Sequence, residues 1–428
     1  MRVVYLAAGA GGMICGSCLR DNRLAATLIR QGRDILLIPL YTPLRTDEEN
    51  VASQKVLFGG VNAYLQNLSP LFGYLPRFVR RWFDSRYVFD RIADRASASR
   101  PADVGALTVS VLRGEEGRQR AELEGVVDAI RELKPDLINL PNLLLIGLAR
   151  RLRQAIGVPI VCTLSGEDIF TDAMTEPHRS QALALIRERA AELDGFIALT
   201  RYYAGHATRL YGLPADRVRV VPLGVAPIDA AAGLAPRDPS KPFEIGYLAR
   251  ICREKSLHRL VNAFLALREQ GRDCRLQVAG YVGALDRAYL AGLQRDIARA
   301  GAGDRVVIHG EVSHDAKVAM LRSLHAFSVP ADYPEAKGLS IIEALSAGVP
   351  VVQPSHGSYV EFVNDTGGGV LYRPGDEAAL THELKTLMDD EPRRLALARA
   401  GRDGARKLYS DEAQAQAAWD YYESVVRR

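Results

Sequence analysis

A chain of 428 residues is too long for one ordinary α/β core, and roughly 100–200 residues per domain calls for two or three domains. With 48% hydrophobic and 25% charged residues the composition is that of a soluble globular protein, which excludes disordered and collagen-like classes. The net charge of +4, from 55 basic against 51 acidic residues, is too balanced for a nucleic-acid partner and leaves room only for a local basic patch.

In chain order, Arg2-Val3-Val4-Tyr5-Leu6 reads as a short buried strand and not as a signal peptide, because the Gly-rich turn Gly9–Gly12 follows at once. Leu24 and Leu28 recur at helical spacing until Gly32, and Ile35–Ile38 is the next strand. The segment LFGYLPRFVRRWFDSRYVF, residues 71–89, mixes aromatics with Arg77, Arg80, Arg81 and Arg86. It suits an anionic membrane surface, an acceptor cleft or a core helix. Leu123, Val127, Ile130 and Leu133 form a helical stripe, ended by Lys134-Pro135-Asp136, and Leu137–Leu140 follows as a strand. Val158–Cys162 and Gly195–Leu199 repeat the pattern. Alternating strands and helices of this kind predict parallel, doubly wound sheets.

The periodicity breaks over residues 226–242, which predicts a linker between a domain at 1–225 and a second at 243–409. Strands are expected at Phe243–Tyr247, Arg275–Ala279, Val306–Ile308, Ala326–Val329 and Val349–Val352. Ser410 suits an N-cap for a last helix over 410–428, with Trp419, Tyr422 and Val426 as its apolar stripe. No apolar run approaches the ~20 residues that span a bilayer. Five cysteines, an odd number, predict reduced thiols and a cytoplasmic location.

Two stretches carry chemistry. In Glu335-Ala336-Lys337-Gly338-Leu339-Ser340-Ile341-Ile342-Glu343, a helix begins near Leu339 behind Gly338. Free N–H groups at such a start, around Leu339 and Ser340, suit a phosphate, and Gly338 lets a ligand approach the backbone. Glu343, one turn inside, reaches ribose hydroxyls; Glu335, before the helix, points at a sugar. In the second stretch Arg250 follows a strand end and Lys255 precedes a helix. Two fixed cations there neutralise a departing diphosphate, the work a divalent metal does elsewhere. No Asp-x-Asp pair stands in a context suited to a metal, so neither metal nor cofactor is expected.

These residues resemble the retaining GT-B glycosyltransferases of family 4 and the glycogen synthase-like group. The resemblance runs from about Phe243 to Tyr409, and takes in Gly348–Val352, Gly357, Glu361 and the Gly367–Val370 turn. It implies two Rossmann-like domains facing a central cleft, with the acceptor on the N-terminal one, a nucleoside diphosphate sugar on the C-terminal one, and the last helix crossing back to the first. The expected donor is a UDP- or GDP-sugar, and the expected acceptor a hydroxyl of a saccharide, lipid-linked or small molecule. It further implies that Arg250 and Lys255 hold the diphosphate, Glu343 the ribose and Glu335 the transferred hexosyl group, with retention and no metal. His309 falls where the family places the base, Gly11 and Gly12 lie in its Gly-rich first turn, and Ser165 stands where many members carry a histidine.

Two other functions fit the sequence less well. An NAD-dependent oxidoreductase is disfavoured because Ile14 takes the last glycine place of the dinucleotide fingerprint. A catalytically silent sugar-nucleotide-binding protein is disfavoured by the complete set of two cations and two glutamates. Cys15-Gly16-Ser17-Cys18 has redox or metal spacing, but without a second close pair it reads as small residues packed at a helix start.

Overall fold

Short apolar runs bounded by turns become parallel strands, because a strand buried on both faces needs no polar alternation. The computed structural model describes residues 1–9, 16–54, 56–57, 102–229, 234 and 236–428. They fall into two units, Met1–Pro222 with Gln414–Arg428, and Leu223–Ala413.

Among the described residues the first unit carries β1 (Arg2–Ala7), β2 (Asp34–Pro39), β3 (Leu137–Leu140), β4 (Ile160–Thr163), β5 (Gly195–Ala198) and β6 (Val218–Val220). They form one parallel sheet in the order β2-β1-β3-β4-β5-β6. Val3 to Ala7 of β1 are all buried. The last helix, Asp411–Val426, is capped by Ser410, whose hydroxyl accepts the Ala413 N–H at 3.1 Å. From Gln414 onward it belongs to this unit, and Ala415, Ala418, Trp419, Tyr422 and Val425 join Val3, Leu24, Leu28 and Ile35 in one core. The expected stripe holds at Trp419 and Tyr422, but Val425 is buried and Val426 exposed. Val425 continues the i, i+3, i+7, i+10 face of Ala415, Ala418 and Tyr422.

The second unit carries β7 (Phe243–Leu248), β8 (Cys274–Ala279), β9 (Val306–Gly310), β10 (Ala326–Phe327), β11 (Val351–Pro354) and β12 (Gly369–Tyr372). The sheet is parallel in the order β12-β11-β10-β7-β8-β9. The chain winds outward from β7 to β9, then returns to lay β10 on the other side of β7. Where the winding reverses, the loops after β7 and β10 meet at the strands' carboxyl ends, the Asp332 N–H donating to the Glu254 carbonyl at 3.1 Å, at the crevice position where open α/β sheets bind their ligands. Arg250 and Lys255 lie on the first loop and Glu335 on the second.

Among the described residues, no helix is long and apolar enough to cross a membrane.

Candidate functional site

The loop after β7 is held from within. The Tyr247 hydroxyl donates to the Arg250 carbonyl at 3.2 Å, and Ile251 N–H donates to the Tyr281 carbonyl at 2.9 Å. A single 3-10 turn, Arg253–Lys255, ends at Ser256, which is buried and has φ 53°. A left-handed residue without glycine is costly, so the surrounding structure must enforce it. The turn delivers Lys255 to the crevice just before the helix Leu257–Glu269.

The loop after β10 answers it. The Lys255 Nζ binds Glu335 Oε2, and the same oxygen accepts the Tyr333 hydroxyl at 3.0 Å. The Lys337 N–H donates to Oε1 at 3.3 Å. Lys255 also lies over the Tyr333 ring, 5.0 Å from its centroid. Burial alone would raise the Glu335 carboxyl, but the Lys255 ammonium beside it holds it down to about 2. Burial would likewise depress Lys255, and Glu335 raises it instead. The pair is thus fully charged across the physiological range. Gly357, at φ 61°, packs its backbone on this turn: a Cβ there would sit 2.5 Å from Glu335 N. Ser358 N–H donates to the Glu335 carbonyl at 2.8 Å.

Gly338, at φ 66°, takes the N-cap of the helix Leu339–Ser346, and no side chain caps that helix. A Cβ on Gly338 would fall 2.7 Å from the Phe362 ring. The N–H groups at Leu339 and Ser340 therefore open a helix at the crevice without a side-chain oxygen to satisfy them, an arrangement that favours anions. One turn in, Glu343 is buried and its Oε1 takes the Lys317 Nζ at 3.1 Å. Arg250 shares the loop of Lys255 but is half exposed, with its guanidinium 3.9 Å from Glu254. His309 is exposed on the edge strand β9, and its Nε2 meets Gln277 Oε1 at 3.0 Å.

Ser165 belongs to the first unit, in a different polar cluster. Its hydroxyl accepts from Arg20 Nη1 at 3.0 Å and donates to the Pro141 carbonyl at 2.9 Å. Arg20 is paired with Asp21, which also accepts the Tyr5 hydroxyl at 2.7 Å. Glu167 takes the N–H groups of Leu143 and Ser165 and the Tyr203 hydroxyl. Burial pushes the Glu167 carboxyl up, with those N–H groups pulling the other way. Gly11, Gly12, Cys15 and the segment 71–89 lie outside the described residues. Cys18, Cys162, Cys252 and Cys274 are buried, with no disulfide among the described residues.

Two contributors escape a reading of the sequence, Lys317 and Tyr333, while Gly357 falls within the resemblance. For Lys317 a signal existed, since it shares a helical face with Met320 and Leu321, which are buried. Nothing local marks Tyr333 as a donor to Glu335.

A Rossmann-like sheet in each unit, with charged side chains gathered where the second reverses, defines a protein of the GT-B class. The model of the glycosyl transferases group 1 matches residues 235–404, and that of the glycosyl transferase 4-like domain matches residues 59–224. The lipopolysaccharide core biosynthesis mannosyltransferase LpsB of Rhizobium meliloti is 30% identical over 268 residues, 60% of this chain and 72% of that protein. The 2-deoxystreptamine glucosyltransferase of Streptomyces kanamyceticus is 29% identical over 284 residues, 63% of this chain and 72% of the enzyme. Sucrose-phosphate synthase from Thermosynechococcus elongatus has the same fold, with a TM-score of 0.71 at 18% identity, covering 100% of this chain and 99% of that one. HepE of Anabaena, solved in complex with UDP, aligns with a TM-score of 0.67 at 17% identity over 99% and 100% of the two chains. The chain belongs to the GT-B glycosyltransferases of the family 4 type.

Proposed function

We propose that this glycosyltransferase takes a hexosyl group from a nucleoside diphosphate sugar and transfers it to a hydroxyl acceptor, with retention at the anomeric carbon and without a metal ion. The observation that carries the reading is the Lys255–Glu335 pair, set in the crevice of the second sheet. The uncapped helix start at Gly338 lies three residues past Glu335. In this reading the diphosphate occupies that helix start and draws Lys255 away from Glu335. Lys255 and Arg250 then neutralise the leaving group, and Glu335, released from its cation, accepts a hydroxyl of the transferred sugar. The departing phosphate oxygen takes the proton of the incoming hydroxyl as the new glycosidic bond forms on the face the phosphate leaves. Glu343 holds ribose hydroxyls, His309 lies beside the base, and Gly11, Gly12 and Ser165 contribute to the donor from the first unit, which also receives the acceptor.

UDP is the first base to test, because HepE was solved with it. A cytoplasmic location, and contact of residues 71–89 with an anionic membrane surface, rest on the sequence alone. Calorimetric titration with UDP, GDP and ADP tests the donor site: one of them must bind, and Lys255→Ala must weaken it. Donor hydrolysis in excess chelator should match that in magnesium, and the anomer released, followed by NMR, should be that of the donor. A requirement for one specific metal, or an inverted product, would overturn the corresponding part of the reading.

A further inference from the structure

Lys317 stands at a position its helix reserves for the core. In the helix His314–Ser323 the buried residues are Lys317, Met320 and Leu321, one face at the spacing i, i+3, i+4. Lys317 is only 4% exposed. Lysine is rarely buried so deeply unless paired, and an apolar residue there would be the less costly way to fill the space. Its partner is Glu343, 5% exposed, on the separate helix Leu339–Ser346. The Nζ to Oε1 distance of 3.1 Å is that of a charge-assisted hydrogen bond.

Such a contact does two things to a carboxylate. It uses the carboxylate as a hydrogen-bond acceptor, because an ammonium can only donate. It also fixes one oxygen, and hence the plane of the carboxylate and the direction of the other. A carboxylate so prepared is matched to a pair of vicinal hydroxyls, two donors a fixed distance apart. An unanchored glutamate in the same place would have to lose side-chain freedom when the ligand arrives.

We infer that Lys317 is a positioning residue for nucleoside recognition: it does not touch the donor, but orients Glu343 so that the enzyme distinguishes a ribose from a sugar lacking its hydroxyls. This rests on the reading of Glu343 as the ribose ligand. The ratio of affinities for a nucleoside diphosphate and its 2′,3′-dideoxy counterpart isolates the effect, because both carry the same base and diphosphate.

The experiment is calorimetric titration of wild type, Lys317→Met and Lys317→Gln with UDP, GDP and ADP, each beside its dideoxy form. Melting curves are recorded to confirm that each variant is folded. Wild type should prefer the ribonucleotide by about ten- to a hundred-fold, the range for hydrogen bonds to a charged group. In Lys317→Met the preference should shrink to about three-fold or less, while affinity for the dideoxy form stays near that of wild type. Lys317→Gln, which keeps a donor without the charge and protects against a variant too unstable to titrate, should fall between. A preference unchanged in both variants overturns the role of Lys317 and leaves Glu343 as the ribose ligand. A wild-type preference near one overturns the reading of Glu343 itself. Equal weakening of both forms in the variants would make Lys317 a purely structural residue and also overturn the inference.

Discussion

The two units carry the same kind of sheet, but one buried carboxylate in each, Glu167 and Glu335, is held in the opposite way to the other. In the first, Glu167 is tied by backbone N–H groups of Leu143 and Ser165 and by the Tyr203 hydroxyl, and burial pushes its carboxyl up. In the second, Glu335 is tied mainly by the ammonium of Lys255, which lies 80 residues earlier in the chain, and its carboxyl falls to about 2. Desolvation acts on both; a facing cation decides the sign. The difference bears on function. A carboxylate held by the backbone of two neighbouring loops is committed to them. One held by a flexible, partly exposed lysine can exchange that partner for a ligand of the same charge. The first arrangement fixes a scaffold, and the second makes a site.

The largest expected effect would break the comparison if it failed. Lys255→Ala and Arg250→Ala should each slow single-turnover transfer by roughly 100-fold or more, the loss of one preorganised electrostatic group. Near-normal turnover in both would mean that the exchangeable pair is merely structural.

Next in size is the division between the two glutamates. Glu343→Ala should weaken a free nucleoside diphosphate by about 1.5–3 kcal/mol, the range for hydrogen bonds to a charged group. Glu335→Ala should leave free nucleotide affinity nearly unchanged while reducing turnover of the full donor. If titration shows both variants losing nucleotide affinity alike, the orientation proposed for the donor must be redrawn.

Much of this was legible in the sequence. The alternation of short apolar strands and helical stripes predicts two doubly wound sheets, and Gly338 with its flanking glutamates locates a helix start at a strand's carboxyl end. Other elements leave little local signal. β12 hides behind Gly367-Gly368-Gly369, which reads as a turn, and β6 has just three residues with Arg219 in the middle. The partnerships were harder still. Lys255 and Glu335 meet because β10 inserts beside β7, a topological event that no local spacing encodes. Lys317 carries no local signal of its role because a lysine on a helix is ordinarily solvated, and its meeting with Glu343 of the helix Leu339–Ser346 is a tertiary contact.

Acid sensitivity sharpens the contrast by about 2 kcal/mol. The folded-state pKa of Glu335 is depressed, so its contribution to stability is fully present above the ordinary value near 4.5 and is lost as pH falls toward about 2. Lys255 is 20% exposed, so solvent screening trims what a shift of that size would give in full. Glu167 has the opposite sign: its folded-state pKa is raised, so stability declines as pH rises from the ordinary value through the raised one. Urea unfolding of wild type and Glu335→Gln between pH 2.5 and 6 should show the acid slope flattening in the variant. An unchanged slope would mean that Lys255 and Glu335 are not coupled in solution.

The smallest effect concerns Ser165. Its hydroxyl joins Arg20, only 1% exposed, to the Pro141 carbonyl, so it ties the helix Gly16–Arg30 to the loop after β3. Ser165→Ala removes both hydrogen bonds but spares the pairing of Arg20 with Asp21, which satisfies the rest of the guanidinium. The lost bonds are ordinary ones, and a modest relaxation can admit water to the loop carbonyl. Destabilisation should therefore be about 1 kcal/mol, measured as a lower urea midpoint with unchanged slope. Affinity for the free nucleoside diphosphate should not change, because the contact expected of Ser165 is with the donor's sugar. A contribution to the donor would show only when the intact nucleotide sugar is titrated, as a loss absent from the free nucleotide. A tenfold loss with the free nucleotide would instead bring the first unit into nucleotide recognition, and the division between a fixed scaffold and an exchangeable site would no longer follow the two sheets.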